Sequence, residues 1–146
     1  MTQSKEKKDN WKGKKQKFET EGRLPPISLE MERAVICAAL IDPTAFARIA
    51  DLVDETDFYD RRHGLIFEAM AKLFTKSSPI DALMVSEELE STKNLEAAGG
   101  DVYLAELSNE VATGVNAEYW AKVVRDKSAL RRLIESATGV ILDSYE

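Results

Sequence analysis

From Leu24 onward the chain reads as apolar stripes of helical period separated by short polar breaks. Leu24-Pro25-Pro26-Ile27 opens this region, and its two prolines impose extended backbone. Ser28 suits an N-cap, its hydroxyl taking an orphan backbone N–H. Glu30 and Glu32 fall in the first turns, where negative charge complements the helix dipole. The helix predicted over Leu29 to Ile41 is apolar nearly all round through Ala34-Val35-Ile36-Cys37-Ala38-Ala39-Leu40, the pattern of a buried central helix. Asp42-Pro43 supplies a cap and a first-turn proline for a second helix stepping through Phe46, Ile49, Ala50 and Val53. After the acidic loop Asp54-Glu55-Thr56-Asp57, Asp60 caps a strong helix to about Thr75, striped by Ile66, Phe67, Met70, Leu73 and Phe74. Ser77-Ser78-Pro79 is a turn, and Asp81 caps a helix over Ala82–Leu89. Gly99-Gly100 breaks the chain again, with Asp101 as the expected cap of Val102–Leu107.

After Thr113-Gly114, a long helical pattern runs from Asn116 to the end. Its early face, Tyr119, Trp120, Val123 and Val124, is expected to pack on the preceding helices. Its later face, Leu130, Leu133, Ile134, Ala137, Val140, Ile141 and Tyr145, finds no apolar partner left in the sequence. Exposed apolar surface on that scale marks an interface. The alternative is a break at Gly139 that lets the helix fold back on itself. No strand alternation of useful length occurs. The predicted fold is all-α: a compact orthogonal domain of about six helices with a projecting C-terminal helix. The expected divisions are a disordered lysine-rich tail over 1–23, a globular head over 24–115 and the long helix over 116–146.

Composition sharpens this picture. The 146 residues carry a net charge of −6, unevenly placed. Residues 1–23 hold eight basic against four acidic side chains, leaving −10 on the remainder. That tail has only Trp11 and Phe18 as large apolar residues, so it is expected to be mobile, and it could touch nucleic acid as a basic arm. The acidic body repels phosphate, so DNA contact is expected to be indirect or weak. A single Cys37 permits no intrachain disulfide and fits a reducing cytoplasm. No apolar run is long enough to span a membrane.

Catalytic chemistry finds no positive support. None of the seven glycines stands in a P-loop or a dinucleotide fingerprint. Asp54, Glu55, Asp57 and Asp60 could hold a divalent cation or act as an acid–base pair. Their spacing lacks the alternation and glycine of a calcium loop, and solvation and helix capping account for them. His63, beside Arg61 and Arg62 in a first helical turn, is expected to be a neutral, partly packed ring with no nucleophile to serve. Cys37 is expected to behave as a small buried hydrophobe. No metal and no cofactor is expected in this chain.

Several motifs, in order and at the right spacing, make residues 24–146 resemble the N-terminal domain of the bacterial-type replicative DNA helicase family. Pro25-Pro26-Ile27-Ser28-Leu29-Glu30 with Glu32 and Ala34-Val35 resembles that family's first helix. Asp57-Phe58-Tyr59, His63 and Ile66-Phe67 match a second segment, and Pro79-Ile80-Asp81 a turn. Leu95-Glu96, Gly99-Gly100, Tyr103-Leu104 and Leu107 follow, and then Asn116 to Ala121, Val124-Arg125 and Leu130 to Ile134. The resemblance thus marks Phe58, His63, Phe67, Asp81, Gly99, Gly100 and Tyr103 as family-motif structural positions. Ala112 stands where the family commonly has proline, and Met84 where it often has threonine. The lysine-rich tail is not a general family feature.

The resemblance implies a hexameric ring that unwinds duplex DNA, with dimeric pairs of N-terminal domains forming a collar that primase binds. It makes the last helix the first arm of a hairpin. ATP and magnesium would belong to a RecA-like motor domain that is not in this chain. The expected partners are therefore further copies of itself, primase and a helicase loader, with no membrane. Two rival readings exist. A DNA-binding regulator would use Lys122, Arg125, Lys127, Arg131 and Arg132 as a basic recognition helix, diluted by Glu118, Asp126 and Glu135. A small metal-dependent enzyme would use the Asp54–Asp60 loop.

Overall fold

The computed structural model describes residues 23–110 and 116–146. Almost all of the lysine-rich tail and part of the loop after Glu110, Ala112 included, lie outside the described residues. Six α-helices and one short 3-10 helix account for the described residues, which contain no strand. They are α1 (Leu29–Ile41), α2 (Pro43–Ala50), a 3-10 turn (Glu55–Asp57), α3 (Arg61–Thr75), α4 (Ala82–Ser91), α5 (Gly100–Asn109) and α6 (Ala117–Asp143).

The chain divides into two compact units. The larger, Ile27–Leu130, is organised around α1, which packs on α2, α3 and α5. Residues Val35 to Ala39 of α1 are fully buried, as an all-round apolar helix requires. Phe46, Phe58 and Phe67 form an aromatic centre, with Phe67 5.3 Å from Phe46 and 5.1 Å from Phe58 between ring centroids. The first half of α6 joins this core through Ala117, Ala121, Val124 and Ser128, all buried. These recur at helical spacing and are small, which lets the helix backbone lie close against its neighbours. The other unit includes the second half of α6, from Arg131, and the stretch ending at Pro26. There the Arg131 guanidinium donates to the Pro26 carbonyl at 2.8 Å.

Local capping follows the sequence at three helices. The Asp42 carboxylate accepts from the Thr44 amide at 3.0 Å, Asp60 from Arg62 at 2.9 Å and Asp81 from Met84 at 2.8 Å. Two expected caps differ. The Ser28 hydroxyl makes no capping bond, and its backbone (φ −146°, ψ 85°) departs from the extended conformation that Asp42, Asp60 and Asp81 adopt as caps. Asp101 lies inside α5 rather than before it, since Gly99 and Gly100, both at positive φ, turn the chain two residues earlier. The helix at the C-terminal end is unbroken through Gly139. Its 27 residues extend about 40 Å at about 1.5 Å per residue.

Candidate functional site: a buried polar link and an exposed helix face

Glu32, in the first turn of α1 as expected, is also buried. It is 2% exposed, and its carboxylate accepts from the Tyr59 amide at 3.0 Å and the Asp60 amide at 3.2 Å. The same carboxylate faces His63 Nδ1 at 3.0 Å, and His63 Nε2 faces the Tyr103 hydroxyl at 2.7 Å. The partners suit the tautomer in which Nδ1–H donates to Glu32 and the tyrosine hydroxyl donates to Nε2. His63 is therefore wholly buried, at 1% exposure, rather than partly packed. The chain Glu32–His63–Tyr103 ties α1, α3 and α5 together inside the core.

Charged groups close over the tyrosine end. The Arg62 guanidinium lies 4.2 Å from the Tyr103 ring centroid, and Arg33 is also within cation–π reach. Arg62 pairs with Asp60 at 2.8 Å, and this hydrogen bond holds the Asp60 carboxyl below its ordinary range. Arg33 pairs with Glu110 at the end of α5. Burial pushes the Tyr103 hydroxyl up from its usual pKa. Tyr103 itself is only 6% exposed. Cys37 is similarly enclosed: its thiol donates to the Leu107 carbonyl at 3.0 Å, and burial raises its pKa.

The acidic loop caps itself. The Asp54 carboxylate accepts from the Thr56 amide at 2.8 Å, and Asp57 accepts from the Asp54 amide at 2.9 Å. Among the described residues, no group of three or more His, Cys, Asp or Glu side chains is placed to hold a metal ion.

The later face of α6 is a different kind of surface. Leu133 is 65% exposed, Val140 67%, Tyr145 60%, and Leu130, Ile134, Ala137 and Ile141 are exposed as well. Tyr119, expected to pack, is 64% exposed, because the small residues Ala117, Ala121 and Val124 form the inner face of the helix instead. Trp120 is half-buried and packs against the core. Arg131 is turned to the Pro26 carbonyl, and Arg125 stands 3.8 Å from Asp126.

The pattern of the DnaB-like helicase N terminal domain matches residues 24–126. The chain belongs to that family. The replicative DNA helicase DnaB of Geobacillus stearothermophilus is 42% identical over 123 residues, covering 84% of this chain and 27% of the relative. That of Rhodothermus marinus is 42% identical over 125 residues, covering 86% of this chain and 13% of the relative. The chain thus spans about a quarter or less of the length of these helicases. Among solved structures, the N-terminal domain of DnaB helicase from Mycobacterium tuberculosis matches with a TM-score of 0.80 and 34% identity, covering 84% of this chain and 85% of that one. The Helicobacter pylori DnaB N-terminal domain shares the fold, with a TM-score of 0.67 and 20% identity over 80% of this chain and 90% of that one.

Within this DnaB-like domain the motif positions have structural work. Phe58 and Phe67 build the aromatic centre, Asp81 caps α4, and His63 and Tyr103 form the buried link. Gly99 is required by Tyr103. At φ +101°, a Cβ on Gly99 would stand 2.7 Å from the Tyr103 Cβ and 2.9 Å from its Cγ. Gly99 and the tyrosine four residues on are therefore one packing unit, whereas Gly100 has open space beside it and is favoured by its φ of +74°. Sequence reasoning missed Glu32 and Arg33 as members of the link. Their partners lie up to 77 residues away, and a first-turn glutamate already has a local explanation.

Proposed function

We propose that this DnaB-like domain is a non-catalytic docking module that supports ring assembly and primase binding in DNA replication. The observation that carries the reading is the exposed apolar face of α6, from Leu130 to Tyr145. Burying such a face is the main favourable term in most protein association, and soluble monomers rarely leave one open. The Helicobacter pylori domain that shares this fold interacts with primase, which supports primase as a partner here. The helicase names of the relatives support further copies of the chain as the other partner, with ATP hydrolysis and unwinding carried by the part of those proteins that this chain does not span. The site residues are Leu130, Leu133, Ile134, Ala137, Val140, Ile141 and Tyr145.

Sedimentation velocity over rising concentration tests the self-association part. The wild-type chain associates, whereas Ile134→Asp remains monomeric because association would bury an unpaired charge. A wild type that stays monomeric at the highest concentration, or an Ile134→Asp variant that associates equally well, removes this face as the contact.

A further inference from the structure

Two exposed aliphatic side chains stand on the outside of α4 and α5. Leu83 is 69% exposed and Val102 74%, the two most open large aliphatic side chains of the Ile27–Leu130 unit. Neither helix needs them for its own packing, since α4 buries Val85 and Leu89 and α5 buries Tyr103, Leu104 and Leu107. The Ser86 hydroxyl donates to the Asp101 carboxylate, joining the two outer faces. Leu83 stands one turn before Ser86 on α4, and Val102 follows Asp101 on α5, so both lie within a turn of that hydrogen bond along their helices.

Charge selects what can cover this face. Residues 80–110 hold eight carboxylates against Lys93 alone, a net of −7, although the whole chain carries −6. Glu88 is paired with Lys76 and Glu110 with Arg33. Asp81, Glu87, Glu90, Glu96, Asp101 and Glu106 remain, all exposed. Phosphate-bearing partners, nucleic acid or an anionic membrane, are repelled by such a frame. Acidic rims around apolar anchors suit the opposite pattern: lysine and arginine around apolar side chains.

We propose that the outer face of α4 and α5, centred on Leu83 and Val102, docks a lysine- and arginine-rich amphipathic segment of a partner protein. The apolar side of that segment covers the two aliphatics, and its cations meet the carboxylates around them. This surface is distinct in sequence and in composition from the α6 face, and the inference does not rest on the reading of α6.

The probe is a fluorescein-labelled synthetic helix of lysine and leucine with leucines on one face, titrated into the full chain and followed by anisotropy. Its controls are a scrambled peptide of the same composition and a glutamate-for-lysine version. The amphipathic lysine peptide binds, and the scrambled peptide binds at least tenfold more weakly. The double variant Leu83→Ser with Val102→Ser, checked for native helicity by circular dichroism, weakens binding at least tenfold. Glu87→Gln with Glu106→Gln weakens it and flattens its salt dependence. The single variant Val102→Ser gives a smaller loss in the same direction. Ile134→Asp on α6 leaves binding unchanged. The proposal is overturned by no binding, by equal binding of the scrambled peptide, by full retention in the double variant, or by a loss that follows Ile134→Asp instead.

Discussion

Gly99→Ala tests the packing logic that joins this glycine to the buried link. At φ +101°, alanine is in a backbone region that L side chains rarely adopt, a strain of about 1–2 kcal/mol. The new Cβ would also stand 2.7 Å from the Cβ of Tyr103, an atom fixed to the α5 backbone and unable to swing aside. Relieving that overlap moves Tyr103, at a cost of about 1–3 kcal/mol for overpacking. The shift also stretches the 2.7 Å bond to His63. Together the change should destabilise the domain by about 2–5 kcal/mol. The assay is urea unfolding followed by far-UV circular dichroism, run as a double-mutant cycle with Tyr103→Ala. In the Tyr103→Ala background the ring-atom contacts at 2.8 and 2.9 Å and the bond to His63 are gone while the Cβ contact and the backbone strain remain, so Gly99→Ala should cost less there than in the wild type. A cost that is the same in both backgrounds would refute the steric account.

Four further outcomes follow from the same geometry. Lys93 closes α4 with φ +60°, its successor Asn94 donating back to the Leu89 carbonyl at 2.8 Å; Lys93→Gly should stabilise the domain by about 0.5–1 kcal/mol, read as a higher urea midpoint. Asp60→Ala should cost about 1 kcal/mol at neutral pH through loss of the α3 cap. Because the folded carboxyl of Asp60 titrates below its unfolded value, that contribution is full above the unfolded pKa and fades as pH falls through the folded one; a wild-type and variant difference that grows on acidification contradicts this. Cys37 should resist thiol reagents in the native state and react only at the rate of unfolding, so rapid labelling without denaturant contradicts its burial. At concentrations where both proteins are monomeric, Ile134→Asp should leave the unfolding free energy within about 0.5 kcal/mol of wild type, since the residue is exposed.

Local signals were the most legible part of the sequence. The bounds of α1, Leu29–Ile41, follow from its flanking prolines and from Asp42, and the caps at Asp42, Asp60 and Asp81 need only the residues two or three positions on. Gly99 was legible as a break but not as the partner of Tyr103, because the sequence does not state the φ that brings their atoms together. Glu32 was legible as a first-turn acid but not as a buried one, for the related reason that its partners, His63 and the Tyr59 and Asp60 amides, are distant in sequence. On α6 the large apolar residues suggested a packed early face. The core instead takes the small ones, Ala117 and Ala121, and leaves Tyr119 outside. The later face was legible as a surplus of apolar positions, and the structure places every one of them at the surface.

The central claim, that the exposed α6 face docks a replication partner, is tested most directly by calorimetric titration of the cognate primase into this chain and into Ile134→Asp. The account predicts saturable binding to the wild type. It predicts a loss of at least tenfold in affinity for the variant, equivalent to about 1.4 kcal/mol or more. Equal primase affinity for both proteins, with both showing native helicity and stability, would contradict it.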